Sequence, residues 1–434
     1  MSEQTLVAIL GCIAVLVLML IRVPIAVSLA TVAVGGFAYL VGPEPALGIL
    51  IDSPIRTVTN FNFSVIPMFL LMGALVSESG MSRELFRAAN ARVGHLPGGT
   101  AIATILACGG FAAINGSSVA SAATMTQVAL PEMRRSGYDA GLSAGVVAAG
   151  GTLGIMIPPS VMFILYSILT DTNLAALFIA GIVPGLIAIA LYCVTILIIY
   201  RIRMDWMPRV QRADRQERWE SVRDVWATLL LFALVIGGIY GGFVTITEAA
   251  GLGAFGALVI GVARGRLNWD GVVRSLVEAL RTSAAIFFIL IAAFLFQYFL
   301  AVTQTSQLLG NFLTSLPFGP LGVVIVILAF YIIVGMVVDE LAIILLSIPI
   351  VFPIVVGLGF DPVWFGVLVV VTVQIGLIAP PVGIICFIMN NMVPDIGLLN
   401  IYKGAMPFVI ADLVWLALLV EFPILSLWLV GLMG

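Results

Sequence analysis

The sequence is poor in the residue types from which soluble enzymes build their active sites. Only 9% of its 434 residues are charged, and it contains one histidine and four cysteines. Because 62% of the residues are hydrophobic, a soluble globular domain of this length is excluded. Apolar runs long enough to cross a bilayer recur along the chain, the first at 6–21 and the last at 408–432. We therefore expect an all-α polytopic membrane protein.

The few cysteines do not form a recognisable site. They lie far apart in apolar stretches without CxxC spacing, so the pattern indicates packing positions and not disulfides, metal ligands or redox groups. These residues are Cys12, Cys108, Cys193 and Cys386.

The basic residues are distributed unevenly, and this asymmetry predicts the topology. The densest basic segment, 200–224, contains seven arginines and is expected to be cytoplasmic. Counting spans outward from it places 18 of the 19 basic residues on that side, with Arg56 as the exception. Both termini are then periplasmic. One full crossing between 98 and 133 would put the arginines before and after it on opposite sides, so we expect a re-entrant hairpin there.

The resulting plan contains spans, two hairpins and two broken spans. In chain order these are spans at 5–21, 24–42 and 62–78, a hairpin at 98–133, a broken span at 140–170, spans at 174–200, 225–243, 247–263 and 282–302, a hairpin at 319–355, a broken span at 362–392 and a span at 405–431.

This plan predicts five segments along the chain. They are N-terminal scaffold helices with an arm at 1–95, the first half of a transport domain at 96–173, scaffold helices at 174–281 with the cytoplasmic loop 200–224 and an arm at 264–281, the second half of the transport domain at 282–404, and a C-terminal scaffold helix at 405–434.

The chain contains an internal repeat. At an offset of 222 residues Pro131 matches Pro353, Asp139 matches Asp361, Gly154 matches Gly376, and the pair Pro158-Pro159 matches Pro380-Pro381. Upstream, Leu96-Pro97 resembles Leu316-Pro317. The distribution of arginines places the mouth of the first hairpin inside and that of the second outside, so we expect inverted repeats.

The matched Pro-Pro pairs indicate the position of a binding site. Each pair removes two backbone donors inside an apolar segment, which leaves carbonyl oxygens free to coordinate a cation such as Na⁺. Inverted repeats with paired broken helices are typical of secondary transporters. A simple helix kink is the alternative interpretation, and the recurrence of the pair at matching positions disfavours it.

The hairpin tips carry the polar residues of the two hairpins. The first tip reads Asn-Gly-Ser-Ser at 115–118, and the N-terminus of the following helix suits a carboxylate ligand. The offset pairs Ser117 with Asp339, and Asp339 and Glu340 interrupt the apolar run 321–350. An acid within a membrane span indicates Na⁺ or proton binding, although small residues at a tip also allow close helix packing.

Five segments together resemble one family, the large membrane subunit of tripartite ATP-independent periplasmic (TRAP) transporters, the DctM-like proteins. The resemblance covers essentially the whole chain. The segments are Asn-Gly-Ser-Ser at 115–118, Ile-Pro-Pro-Ser at 157–160, Thr-Glu-Ala-Ala at 247–250, Val-Val-Asp-Glu at 337–340 and Ala-Pro-Pro-Val-Gly at 379–383.

The resemblance implies Na⁺-coupled uptake of an organic acid, such as a C4-dicarboxylate or a sugar acid, across a bacterial inner membrane by an elevator motion. It implies two partners, a periplasmic substrate-binding protein and a small four-helix membrane subunit on a separate chain. Two Na⁺ sites are implied at Ser117, Met156, Pro159, Asp339, Gly376, Ala379 and Pro380. Substrate contacts are implied at Asn115, Gly116, Ser117, Ser118, Pro159, Ser160 and Pro381.

Two positions depart from the family pattern. Ser121 stands where the family often has an acid, which implies a weaker or differently liganded first Na⁺ site. Ile246 replaces a proline that is common in the family, which is expected to alter the turn. Asp412 and Glu421 in the last span are assigned no transport role.

Three other functions stay open at this point. One is a stand-alone anion symporter of similar fold, coupled to Na⁺ or H⁺, and another is a channel. The remote alternative is an intramembrane hydrolase that uses Ser117 or Ser118. Such an enzyme needs a base within hydrogen-bond reach, and the single histidine, His95, lies in the predicted loop outside the hairpin.

Overall fold

The computed structural model describes residues 3–315 and 317–432, with the side chain of Leu20 left out. Within this part of the chain the regular structure is entirely helical, which confirms the all-α class. The helices are α1 (Glu3–Leu20), α2 (Ile25–Val41), α3 (Pro43–Thr59), α4 (Val65–Glu78), α5 (Met81–Val93), α6 (Gly99–Asn115), α7 (Ser118–Arg135), α8 (Ala140–Thr152), α9 (Val161–Thr170), α10 (Leu174–Ile202), α11 (Arg215–Tyr240), α12 (Ile246–Ala263), α13 (Trp269–Thr303), α14 (Thr305–Thr314), α15 (Pro320–Gly335), α16 (Glu340–Gly357), α17 (Pro362–Ile378), α18 (Ile384–Met392), α19 (Leu398–Glu421) and α20 (Ile424–Gly431).

Seven helical segments in the described residues are long and apolar enough to cross a membrane, which agrees with the polytopic class. Three short 3₁₀ turns join or extend helices, at Phe61–Ser64, Leu153–Ile155 and Met204–Trp206.

The internal repeat is visible as matched turn chemistry. Gly137 and Gly359 both have positive φ angles, of 80° and 87°, and end the helices that precede them. Asp139 Oδ1 then accepts a hydrogen bond from the Leu142 amide at 2.8 Å, which caps α8. Asp361 Oδ1 caps α17 in the same way. These residues match because each half needs the same tight turn between its hairpin and its broken helix.

Both hairpins occur where the sequence predicts them. α6 and α7 form the first, and α15 and α16 form the second. The segment between α8 and α9 contains the Pro158-Pro159 bond, and the segment between α17 and α18 contains the Pro380-Pro381 bond; both bonds are cis. Leu316, which was compared with Leu96, lies outside the described residues.

The last predicted span, 405–431, is wrong as a single helix. α19 begins at Leu398 and ends at Glu421, and the short α20 follows. Pro423 explains the break, because proline lacks the backbone N–H that continues a helix and restricts the residue before it.

The predicted arm at 264–281 and span at 282–302 are also wrong as separate elements. Most of both segments belongs to one helix of 35 residues, α13. Of the arginines that indicated a cytoplasmic segment, Arg264 and Arg266 precede this helix, and Arg274 and Arg281 lie in its first half. Helix α11 similarly begins at Arg215, inside the predicted loop 200–224.

The helices pack in two groups. The scaffold group consists of α1–α4 and α11–α13, and the hairpin group consists of α6–α10 and α15–α20, with α5 and α14 between them. Although the sequence analysis assigned 174–200 and 405–434 to the scaffold, α10 and α19 pack against the hairpin group. At the crossing of α8 and α19 a Cβ at Gly404 would lie 1.9 Å from the Gly141 oxygen, so this contact requires glycine.

Candidate functional site

The tip of the first hairpin is a two-residue turn. Gly116 has a φ of +65°, and Ser117 caps α7 by accepting a hydrogen bond from the Ala120 amide at 3.4 Å. The side-chain amide of Asn115 donates from Nδ2 to the Ser117 carbonyl at 3.4 Å and to Ser121 Oγ at 3.3 Å. The side chains of Asn115 and Ser121 therefore fix the tip from the inside.

The first Pro-Pro segment packs directly on this tip. A Cβ at Gly116 would lie 2.8 Å from the Pro159 oxygen, and the Val161 amide donates to the Gly116 oxygen at 3.4 Å. Pro158 and Pro159 lack the N–H groups that would serve the carbonyls of Gly154 and Ile155 in a helix. The carbonyls of Gly154 and Ile155, which lack their helical N–H partners, therefore lie beside the turn that contains Ser117.

The hydroxyl of Ser160 forms a hydrogen bond to one of these carbonyl oxygens. Ser160 Oγ donates to the Ile155 oxygen and accepts from the Met162 amide at 3.2 Å, which starts α9. Ser160 is fully buried, and its proton serves the protein backbone. The resemblance implied a substrate contact for Ser160, whereas the structure gives this side chain a role in holding the break.

The tip of the second hairpin is two residues longer. Helix α15 ends at Gly335 and α16 begins at Glu340, with Asp339 as its cap. Asp339 Oδ1 accepts from the Leu341 amide at 3.0 Å. These two extra residues change the offset between the halves. It is 220 before the tip, as for Leu96-Pro97 and Leu316-Pro317, and 222 after the tip.

The second Pro-Pro segment packs on its own tip. The Gly383 amide donates to the Met336 oxygen at 3.1 Å. A Cβ at Gly376 would lie 2.5 Å from the Gly335 carbonyl carbon, so α17 and α15 touch through their glycines. Tyr402 Oη approaches the carbonyls of this segment.

The two halves share one arrangement. The backbone bond from Val161 to Gly116 corresponds to the bond from Gly383 to Met336, because the donors are 222 and the acceptors 220 residues apart. In each half the hairpin tip, which ends at the capping residue Ser117 or Asp339, packs on the Pro-Pro break of the same half. The structure therefore brings the tip and the break of each half together.

The two sites differ in accessibility. The first break is closed, with Met156, Pro159 and Ser160 all buried. At the second break Ala379 is buried, but Pro380 and Pro381 are exposed.

The two tips also touch each other. Ser118 Oγ donates to Glu340 Oε2, and both side chains are buried. These are the first residues of α7 and α16 and are 222 apart in the sequence. The sequence analysis did not identify this contact, although the offset of 222 pairs the two residues. Two adjacent positions of the repeat therefore have different roles. Ser117 and Asp339 cap the helices that follow them, whereas Ser118 and Glu340 connect the two halves.

The two departures from the family pattern have clear structural roles. Ser121 is fully buried, and its hydroxyl would lie 2.9 Å from a Cβ at Gly154, so it fills the space between the tip and α8. The turn before Ile246 is held without proline by a capping box. Thr245 Oγ1 accepts from the Glu248 amide at 3.3 Å, and the Glu248 carboxylate accepts from the Thr245 amide at 2.8 Å.

The position of His95 does not support the hydrolase alternative. It precedes α6, whereas Ser117 and Ser118 follow the other end of this 17-residue helix. The helix is about 25 Å long at 1.5 Å per residue. The partner that Ser118 does contact is the carboxylate of Glu340.

Comparison with known proteins gives a consistent family. The family model described as "Tripartite ATP-independent periplasmic transporter, DctM component" matches residues 12–425. The C4-dicarboxylate TRAP transporter large permease protein of Pseudomonas aeruginosa is 37% identical over 91% of this chain and 94% of its own length. The sialic acid TRAP transporter large permease protein of Vibrio cholerae is 30% identical over 86% of this chain and 87% of its own length.

A solved structure shares the fold. The YdaH transporter of Alcanivorax borkumensis superposes with a TM-score of 0.66 over 87% of this chain and 89% of that chain, at 14% sequence identity. The coverage by the family model and the identity to its curated members agree with the hairpins, breaks and turns described above. The chain therefore belongs to the DctM family, the large membrane permease components of TRAP transporters.

Proposed function

We propose that this permease couples the uptake of an organic acid to Na⁺, with substrate delivered by a periplasmic binding protein. The observation that carries the proposal is the repeated contact of a hairpin tip with a Pro-Pro break. Relatives are named as permeases for C4-dicarboxylates, sialic acid and 2,3-diketo-L-gulonate, the last from Escherichia coli and 31% identical to this chain, and all of these substrates are acids.

The oxygen ligands at the two breaks fit a hard cation. The first site would combine Ser117 Oγ with backbone carbonyls between Met156 and Pro159. The second would combine the Asp339 carboxylate with carbonyls between Gly376 and Pro380. Hydroxyl, carboxylate and carbonyl oxygens are the donors that hard cations prefer. Only the second site adds a formal negative charge, so it should bind Na⁺ more tightly.

The substrate is proposed to bind between the tips. Helices α7 and α16 begin at Ser118 and Glu340, which touch, so two helix N-termini with their positive dipole ends meet at one place. This arrangement favours a carboxylate ligand near Asn115, Gly116, Ser118 and Pro381. The Glu340 carboxyl group, which accepts from Ser118, occupies part of this meeting point and would limit which anions fit there.

The moving unit is proposed to be the whole hairpin group, including α10 and α19. These helices pack on the broken helices, so they would travel with the sites they enclose. The scaffold group would stay in place as the elevator moves and would receive the small membrane subunit. The bacterial inner membrane, with periplasmic termini, is the proposed location, because the arginine distribution favours that orientation.

A small membrane subunit is proposed as a partner of this permease. The isethionate TRAP transporter permease protein DctMQ of Oleidesulfovibrio alaskensis is 31% identical, and this chain spans 65% of its length.

The test is uptake of a labelled organic acid into proteoliposomes that contain this chain and its small subunit. We expect uptake only with both the binding protein and an inward Na⁺ gradient. Full uptake without Na⁺ would refute the coupling. Full uptake without binding protein would favour a stand-alone symporter, and an ionic conductance without binding protein would favour a channel.

A further inference from the structure

A buried polar cluster lies between α8, α10, α17 and α19, apart from the hairpin tips. At its centre Tyr192 Oη donates to Asp412 Oδ1 at 2.7 Å and accepts from Gln374 Nε2 at 3.0 Å. Thr152 Oγ1 lies 3.4 Å from the same hydroxyl. All four side chains are at most 1% exposed.

The two hydroxyl hydrogens of this cluster and one N–H of Gln374 already have acceptors. The Thr152 hydroxyl donates to the Ala149 carbonyl, the Tyr192 hydroxyl donates to Asp412, and the Gln374 amide donates to Tyr192. Two oxygens are left without a hydrogen-bond partner among the described residues, Asp412 Oδ2 and Gln374 Oε1. Both are acceptors, so what the cluster lacks is a donor.

No cationic side chain compensates an ionised Asp412. None of the ion pairs within 3–315 and 317–432 includes it. Helices α8 and α17 carry no titratable side chain. The other helices around this site carry a few titratable groups. They are Cys108 on α6, Glu132, Arg134 and Arg135 in the last turns of α7, Cys193, Tyr200 and Arg201 on α10, Cys386 on α18, and Tyr402, Lys403 and Glu421 on α19.

The nearest of these cations along the helices are distant. Arg201 is nine residues from Tyr192 on α10, and Lys403 is nine residues from Asp412 on α19. Each separation corresponds to about 13 Å along the helix axis. A carboxylate that is buried without a compensating charge becomes neutral by taking up a proton.

A metal cation does not fit this cluster. Na⁺ resembles other hard cations in needing about six oxygen ligands, whereas only two oxygens are free here. Helices α10, α17 and α19 are continuous at Tyr192, Gln374 and Asp412, so their carbonyls are used in helical hydrogen bonds. One proton on Oδ2 supplies the missing donor and removes the charge.

We propose that Asp412 is a proton-binding site of this permease, protonated in the conformation described here, and that loss of the proton arrests transport. Thr152 is the last residue of α8, Gln374 lies four residues before the end of α17, and the two are 222 apart. The proton therefore lies between the two halves, about one helical turn from each break. The arrest of transport rests on the proposed function, whereas the protonation does not.

The protonation is tested by infrared spectroscopy of the purified full chain with its small subunit. The difference spectrum of wild type minus Asp412→Asn should contain the C=O band of a protonated carboxyl group. In Tyr192→Phe this band should move to higher frequency, because the carbonyl oxygen loses its donor. Glu421→Gln, on the same helix but exposed, should leave the band unchanged. Absence of the band at neutral pH overturns the proposal.

The role in transport is tested by the pH dependence of uptake in proteoliposomes. Wild-type uptake should fall at alkaline pH by up to about tenfold per pH unit, as for the loss of one proton. In Asp412→Asn this decline should be absent, so that uptake at alkaline pH equals uptake at neutral pH. An unchanged alkaline decline in this variant overturns the transport role. If Asp412→Asn does not fold, the difference spectrum of wild type minus Tyr192→Phe is used, and the absence of a shifted carboxyl C=O band in it overturns the proposal.

Discussion

At the scale of single residues, Ser117 and Asp339 hold the same structural position with different charge. Each caps the second helix of its hairpin through a side-chain oxygen. Because asparagine caps a helix about as well as aspartate, Asp339→Asn removes the charge and keeps the turn. The two effects can therefore be separated by one substitution.

We expect Asp339→Asn to weaken the apparent Na⁺ affinity by about tenfold or more, which corresponds to about 1.4 kcal/mol. The measurement is the initial rate of uptake as a function of Na⁺ concentration. Asp361→Asn is the matched control, because Asp361 caps α17 in the same geometry at the far end of that helix. Equal Na⁺ dependence in the two variants would contradict a role of Asp339 in cation binding.

At the scale of helices, the contact of Ser118 with Glu340 joins α7 of the first hairpin to α16 of the second. Both residues are buried, so removal of the hydroxyl leaves a carboxylate without this donor. The bond makes the two hairpins one mechanical unit, as an elevator requires of its moving part.

We expect Ser118→Ala and Glu340→Ala to be non-additive, with a coupling of about 0.5–1.5 kcal/mol, the usual net range for one intramolecular hydrogen bond. The free energy of unfolding of the two single variants and the double variant, measured in detergent, gives this coupling. Ser121→Ala is the matched control, since its hydroxyl bonds to Asn115 and not to Glu340. Additive effects for Ser118 and Glu340 would show that the bond does not hold the hairpins together.

At the scale of the whole molecule, the scaffold group touches the hairpin group at the first tip. A Cβ at Gly73 of α4 would lie 2.7 Å from Asn115 Oδ1 and 3.2 Å from the Asn115 backbone. If the hairpin group moves past α4, this tight contact exists in only one conformation. Added volume at Gly73 then penalises that conformation by about 1–3 kcal/mol, as overpacking does.

We therefore expect Gly73→Ala to change the uptake rate several-fold, since about 1.4 kcal/mol shifts a conformational equilibrium tenfold. The melting temperature in detergent should change little, whereas the uptake rate changes several-fold. Gly251→Ala on α12, where a Cβ meets nothing within 4 Å, should affect neither. A rigid molecule without relative motion would instead show equal uptake in both variants.

Much of the architecture could be predicted because it is encoded locally. The paired prolines, glycines and capping aspartates specify turns by their own backbone chemistry, so both hairpins and both breaks occur where the sequence places them. The break before α20 was missed although Pro423 signals it, because the apolar run continues across it. Helix α13 was divided because arginines on the exposed face of a helix were interpreted as the end of a span.

The contacts between distant residues could not be predicted in this way. Tyr192 and Asp412 are 220 residues apart, and no local pattern specifies that α10 and α19 cross where these residues meet. The assignment of both helices to the scaffold failed to anticipate their packing for the same reason. Ser118 and Glu340 are the exception, because their offset equals that of the repeat.

This equality of offset has an evolutionary consequence. If the two halves descend from one duplicated gene, the ancestor was a symmetric homodimer in which this position faced its own copy across the two-fold axis. Two serines could share a hydrogen bond there, whereas two glutamates would place like charges in contact. A mixed pair requires two copies that mutate independently, so Ser118 and Glu340 would mark the loss of that symmetry after duplication.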